Sequence, residues 1–243
     1  MIPKIIHCCW FGGKPLPKSV RKFMNTWRKQ MPDYTIKVWT EEDFAPTDAI
    51  PYVQEAYRNS KYAFVSDYVR LYALSKYGGI YLDTDVEMLK SLDPFLAEPF
   101  MCFEDDDCLS TAIIAAETST QWVKDVLQMY ETRHFVVDGK MDLTTNVAFI
   151  SKEFVRRGLV LGGKEQFVEG VKIYPAEYFS PKSWETGVYN ITDKTVAVHH
   201  FAGTWHSGLT RFLSCFFSHK TISKIASIKE RILRPIKNVS AKS

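Results

Sequence analysis

The chain has 243 residues, 46% of them hydrophobic and 24% charged, which suits one large α/β domain and excludes a disordered chain. A net charge of +3 is too small to mark a nucleic-acid binder, and no run of about 18 apolar residues offers a membrane span. The charge is uneven: His206 to Ser243 carries eight Lys/Arg against one Glu, so the rest of the chain is mildly acidic. The cysteines, Cys8, Cys9, Cys102, Cys108 and Cys215, are odd in number and form no C-x-x-C, so the sequence favours a reducing compartment over a disulfide framework or structural zinc.

Ile5 to Trp10 is a short apolar run closed by Gly12-Gly13, a buried strand and loop. The amino terminus enters this strand without a signal-peptide apolar segment, so a cytoplasmic protein is expected. Val20, Phe23, Met24, Trp27 and Met31 recur at helical spacing until Pro32-Asp33. Tyr34 to Trp39 reads as a second strand, and Thr40 with Asp43 resembles a capping box opening a short helix. Tyr62 to Lys76 is helical and ends at Gly78-Gly79, after which Ile80 to Val86 reads as a third strand. This β-α-β-α-β order predicts a parallel sheet with helices outside and a ligand cleft at the carboxyl ends of its strands. Further on, Phe100–Phe103, Ala112–Ala116, Val171–Tyr174 and Thr195–Phe201 read as strands and Gln121–Tyr130 as a helix. With no internal repeat and no linker before about residue 207, one domain over 1–207 and a tail over 208–243 is the expected organisation.

The sharpest local signal is Gly78-Gly79-Ile80-Tyr81-Leu82-Asp83-Thr84-Asp85. If the strand continues through it, Asp83 and Asp85 project from one face, and two carboxylates so placed either call for a divalent cation or sit in a solvated turn. One helix upstream, Asp67 and Arg70 share a helix face. They read as a surface ion pair worth roughly 0.3–0.5 kcal/mol, or as a carboxylate and a guanidinium presented to the same cleft. Of His199 and His200, adjacent on a strand, only one reaches the cleft. Trp10 is either core or, from its place at a strand's carboxyl end, a cleft residue. Glu104-Asp105-Asp106-Asp107 reads as a solvated loop or a second metal site. Thr144-Thr145-Asn146 reads as a helix cap, and Cys8-Cys9 as packing.

Ile2-Pro3-Lys4-Ile5-Ile6-His7 with Trp10, then Ser66-Asp67-Tyr68-Val69-Arg70, the Gly78–Asp85 motif, and His199-His200-Phe201-Ala202-Gly203-Thr204-Trp205 stand in a telling order. Together they make the chain resemble the DXD-containing sugar transferases. That group includes bacterial capsule and lipopolysaccharide glycosyltransferases and fungal initiating mannosyltransferases; the large clostridial toxin glucosyltransferases are more distant. The resemblance covers residues 2–95 and 195–206 well and the middle loosely. It implies a GT-A fold, an α/β class with a Rossmann-like, mostly parallel sheet, and transfer with retention of anomeric configuration. It also implies roles: Trp10 stacks on the nucleotide base, Asp67 and Arg70 hold the donor sugar, and Asp83 contacts ribose, sugar or metal. Asp85 binds the metal, His200 is the third metal-side ligand with His199 as the alternative, and Gly203 and Trp205 meet the diphosphate. Thr144–Asn146 falls where related enzymes contact donor sugar or acceptor. An Asp/Asp/His set with phosphate oxygens suits Mn²⁺ somewhat better than Mg²⁺, with Zn²⁺ a weaker alternative.

In the tail, Phe212, Leu213, Phe216 and Phe217 lead into Ile222, Ile225, Ile228 and Ile232, interleaved with Lys220, Lys224, Lys229, Arg231 and Lys237. This pattern reads either as a basic amphipathic helix for an anionic membrane face or as a helix docked on the domain. The expected function is sugar transfer from a nucleotide-sugar, UDP-linked by expectation, to a glycan or lipid-linked glycan in polysaccharide biosynthesis. The alternatives are a protein acceptor, or metal-dependent hydrolysis of the nucleotide-sugar.

Overall fold

A computed structural model describes residues 1–202. The tail expected over 208–243, Cys215, Gly203 and Trp205 lie outside these residues. The elements run β1 (Ile5–Cys9), α1 (Lys18–Gln30), β2 (Thr35–Trp39), α2 (Pro51–Arg58), α3 (Tyr62–Tyr77), β3 (Gly79–Leu82) and β4 (Val86–Met88). They continue with β5 (Phe100–Asp105), β6 (Cys108–Ala116), α4 (Gln121–Glu131), β7 (Val136–Val137), β8 (Lys140–Met141) and α5 (Asn146–Arg156), then β9 (Gln166–Val168), β10 (Val171–Tyr174), α6 (Ala176–Phe179) and β11 (Ala197–His199).

A seven-stranded sheet in the order β2-β1-β3-β6-β5-β10-β9 forms the middle layer. β1 is parallel to β2 and β3, as the alternating first half of the sequence predicts. β6 is antiparallel to both β3 and β5, and β10 is parallel to β5. The carboxyl ends of β2, β1, β3, β5 and β10 therefore lie along one edge. This is the α/β architecture expected from the motifs, with a mostly parallel sheet: a Rossmann-like half continued past β3 by a mixed half.

Two apolar layers flank the sheet. On one face, α2, α3, α4 and α5 pack through residues such as Tyr52, Val65, Leu74, Trp122 and Phe154. On the other, α1 buries Val20, Met24 and Trp27 against Ile6, Cys8 and a two-stranded ribbon of β4 and β11. Each fully buried aliphatic or aromatic side chain of this kind contributes roughly 1.5–3 kcal/mol. The three-four spacing of Val20, Met24 and Trp27 is what makes α1 a helix with one core face. That helix also holds the ribbon: the Trp27 indole N–H donates to the Val86 carbonyl (2.8 Å), and the Met88 N–H donates to Thr26 Oγ1 (2.9 Å). Cys8, Cys9 and Cys102 are buried among apolar neighbours as free thiols, so Cys8-Cys9 is packing.

Two local expectations are corrected. The strand read over Ile80–Val86 stops at Leu82 and resumes at Val86, with a turn closed by the Val86 N–H on the Asp83 carbonyl (3.1 Å). Beyond Leu82 the chain leaves the seven-stranded sheet so that β4 can pair with β11. After Thr40, Asp43 does accept from the Thr40 N–H (3.2 Å), yet the chain makes turns there, and the next α-helix starts at Pro51. Pro46 and Pro51, each opening its own helical segment, set those starts.

Gly79 is the junction that allows α3 to feed β3. Its φ is 103°, and a Cβ there would lie 2.5 Å from the Ile5 carbonyl oxygen of the neighbouring strand. Gly79→Ala is therefore expected to destabilise the domain by about 2–4 kcal/mol in a urea titration. A change below about 0.5 kcal/mol would contradict this packing.

Candidate active site

The Asp83 turn stands at the carboxyl end of β3, in the middle of the sheet edge. Its backbone N–H donates to the Ala112 carbonyl of β6 (2.8 Å), which fixes the residue at the last rung of the ladder. Two groups of side chains meet it, one from each face of the sheet.

From the α3 face comes Arg70, whose side chain is buried. Its Nη1 donates to the Thr111 carbonyl at 2.6 Å, its Nη2 to Asp67 Oδ1 at 2.8 Å, and Nη2 stands 3.5 Å from Asp83 Oδ1. The guanidinium lies over the Tyr81 ring, 4.5 Å from its centroid, and the Tyr81 hydroxyl donates to Asp83 Oδ1 at 2.9 Å. Burial opposes the charge on Arg70, but Asp83, Tyr81 and Asp67 outweigh it and hold its pKa above the usual value. Burial pushes the Asp67 carboxyl up to about 6, against the pull of Arg70. The helix-face pairing read from sequence thus holds in geometry, but as an enclosed network instead of a surface ion pair. Asn146, which opens α5 behind its cap Thr145, is buried and faces Asp67, whose charge it favours, with no other partner on its amide atoms.

From the ribbon face come Asp85 and His199. His199 Nε2 is 3.4 Å from Asp85 Oδ1, the Ala202 N–H donates to Asp85 Oδ2 at 2.7 Å, and the His200 N–H donates to the Asp85 carbonyl at 3.1 Å. Burial would raise the Asp85 carboxyl, but the His199 charge and hydrogen bond hold it below the carboxylate range. His199 is raised to about 8: burial works against its charge, and Asp85, Asp83 and Glu104 overcome it. Glu104, on β5, is pushed up to about 7 by burial, with His199 opposing and Asp105, Asp83 and Asp85 adding.

The imidazole brought to the acids is therefore His199, not His200, which was the first choice from the motif. In the ribbon His199 pairs with Val86, and cross-strand partners share a face, so it points inward. His200 turns the other way: its Nε2 lies 2.8 Å from Glu87 Oε2, and its ring stacks on Phe23 with centroids 4.8 Å apart. Nor do Asp83 and Asp85 align by strand alternation; the turn brings them together. Trp10 lies half-buried at the carboxyl end of β1, its indole N–H on the Lys14 carbonyl (2.6 Å). Of the acidic run, Asp105 caps the Asp107 and Cys108 N–H groups, while Glu104 alone turns its charge to the site. The sequence offers Glu104 only as one of four acids in a loop or second metal site, and no local signal separates it from the other three.

Ligand atoms of Asp83, Asp85 and His199 all lie within 4.8 Å of one another. Two carboxylates and an imidazole are a donor set for Mn²⁺ or a similar divalent ion, and His199 Nδ1 is buried with no partner. These residues fit a cation.

Residues 17–101 match the profile of a glycosyltransferase sugar-binding region containing a DXD motif. That match covers about a third of the chain. Inositol phosphoceramide mannosyltransferase 3 of Schizosaccharomyces pombe is 38% identical over 102 residues, covering 40% of this chain and 28% of its own. Mannosyl phosphorylinositol ceramide synthase SUR1 of Saccharomyces cerevisiae is 33% identical over 103 residues, 41% of this chain and 26% of that one. An uncharacterised glycosyltransferase, L373, of Acanthamoeba polyphaga mimivirus is 33% identical over 105 residues, 41% of this chain and 42% of its own. The alignments thus span less than half of each of these relatives. The solved galactosyltransferase LgtC, in an active-site mutant, aligns over 92% of this chain and 95% of its own at 13% identity, with a TM-score of 0.44. The DXD of the matched stretch is Asp83-Thr84-Asp85, the turn on which both side-chain groups converge.

His199 must lose its proton to ligate a cation, and Asp85, Asp83 and Glu104 push its pKa up to about 8 against burial. Affinity for Mn²⁺ is therefore expected to fall about tenfold per pH unit below that value and to level off above it. Titration calorimetry between about pH 6 and 9, in buffers of differing ionisation enthalpy, reads both the affinity and the proton released. A flat profile removes His199 from the ligand set.

Proposed function

We propose that this chain is a metal-dependent, retaining glycosyltransferase. It moves a sugar from a nucleoside-diphosphate sugar, with UDP-sugars as our first choice, to a glycan or lipid-linked glycan in polysaccharide biosynthesis. One observation carries the reading: the Asp83-Thr84-Asp85 turn of a sugar-binding stretch joins a cation-type Asp/Asp/His set to a buried Asp–Arg network. The names of the fungal relatives, which act on inositol phosphoceramide, support a lipid-borne acceptor. We place the protein on the cytoplasmic side, at the inner face of the membrane; among the described residues no helix is long and apolar enough to cross one.

Within this reading each side chain has a task. Asp83, Asp85 and His199 would hold Mn²⁺ or Mg²⁺, and the cation would supply positive charge against the leaving diphosphate. Asp67 accepts hydrogen bonds from donor-sugar hydroxyls, and Arg70 keeps Asp67 and Asp83 in place without needing to reorganise. Trp10, at the neighbouring strand end, offers an indole face to the base. With the diphosphate on the ribbon face, an acceptor approaching from that same face gives retention.

Two measurements test this. A thermal-shift screen of UDP- and GDP-sugars with and without Mn²⁺ is expected to single out one donor, since a ligand bound only by the folded state stabilises it. With that donor, Asp85→Asn is expected to lower transfer by at least about 100-fold with the fold intact. An unchanged rate in Asp85→Asn, or donor consumed equally well without any acceptor, would refute a transferase, and an inverted anomer by NMR would refute retention.

A further inference from the structure

One carboxylate at the site has no assigned task. The hairpin of β5 and β6 continues past the end of β3: the last pair of β3 is Leu82 with Ile113, while β5 pairs on through Phe103 with Leu109 to Asp105 with Cys108. The hairpin therefore extends beside the Asp83 turn. Phe103 stands opposite Leu109 and Asp105 opposite Cys108, so Glu104 is the extra residue of a bulge in β5, a feature that re-aims a side chain out of the regular ladder. There its charge interacts with Asp83, Asp85 and His199. Asp105, Asp106 and Asp107 are exposed, whereas Glu104 is half-buried.

Glu104 forms no hydrogen bond or ion pair among the described residues, and it does not join the close cluster of Asp83, Asp85 and His199. It stands one step back from the groups that would hold a cation. The chemistry of that position is restrictive. A phosphate oxygen is repelled by a carboxylate outside the cation's coordination shell. The donor sugar is met by Asp67 from the opposite face of the sheet. What suits an unpaired carboxylate here is a neutral group with a proton to give, on the same side as the leaving diphosphate.

Resting on the transferase reading above, we infer that Glu104 meets the acceptor hydroxyl and takes its proton. In that step the acceptor oxygen bonds to the anomeric carbon and its proton passes to a Glu104 carboxylate oxygen. The bond from the anomeric carbon to the diphosphate breaks with its electron pair on the phosphate oxygen, and the carboxyl later returns its proton to the departing diphosphate or to water. A base on the leaving-group face is compatible only with front-side attack, so the placement of Glu104 agrees with retention.

Glu104→Gln keeps size and hydrogen-bond acceptance but not basicity, and Glu104→Ala removes both. With the donor found by the thermal-shift screen, Glu104→Gln is expected to lower kcat for transfer about 100-fold, with the acceptor KM little changed. Glu104→Ala is expected to raise that KM as well. In both variants Mn²⁺ and donor affinity, by calorimetry, should stay within about twofold of the wild type. Transfer at wild-type rate in both variants would return Glu104 to the solvated loop and overturn the inference. So would a loss of Mn²⁺ affinity parallel to the loss of rate, which would make it a group of the cation site. A wild-type protein inactive with every donor would instead overturn the transferase reading beneath it.

Discussion

The site depends on a positive charge that cannot leave. Arg70 is enclosed by α3, β3 and β6, with a carbonyl on one nitrogen, two carboxylates about the other and an aromatic ring beneath. A buried guanidinium without partners would cost several kcal/mol, so Asp67 and Asp83 are as necessary to Arg70 as it is to them. Geometry makes the residue type specific. A planar fork can give one nitrogen to Thr111 and another to Asp67 while stacking on Tyr81, and an ammonium can do only one of these at a time. The network makes Asp83 rigid, and Asp83 begins the turn that carries Asp85.

The opposite face is held by apolar packing. Nothing in β4 or β11 is long enough to be a stable ribbon alone. Trp27 and Thr26 of α1 anchor β4 by hydrogen bonds to Val86 and Met88, and the buried face of α1 covers both strands. The register between β4 and β11 then decides which histidine faces the acids. Core packing around Trp27 is thus linked to the chemistry at His199, although no residue of α1 lies among the acids.

Much of this was legible in the sequence. The parallel β1-β2-β3 half follows from apolar runs and glycine-marked ends, and Asp67, Arg70, Asp83 and Asp85 stand out in the sequence alone. What was not legible has physical causes. Alternation assumes a straight strand, but the chain must turn at Asp83 to pass from one sheet to another, and pairing partners distant in sequence decide that. The choice between His199 and His200 depends on the register with β4, which neither residue reveals locally. α2 was missed because it is short, whereas the helix cap read at Thr144-Thr145-Asn146 does open α5, with Thr145 as its cap. Glu104 was hidden among three solvated acids of the same charge, and only the depth of the hairpin separates it from them.

Charge at the strand ends ties the two faces together. Two carboxyl groups, one guanidinium and a neutral ligating imidazole give the inner set a formal charge of one negative unit before Glu104 and Asp67 are counted. An anionic diphosphate would be repelled from such a surface. On the proposed reading a bound dication would reverse the sign locally, and cation binding would then be the condition for donor binding. The same balance explains why the outer carboxyls can remain close by. Burial raises Asp67 to about 6 and Glu104 to about 7, so near neutrality each exchanges its proton at little cost. Carboxyls poised in this way accept a hydrogen bond or a proton from a hydroxyl without adding a fixed charge that the diphosphate would have to overcome.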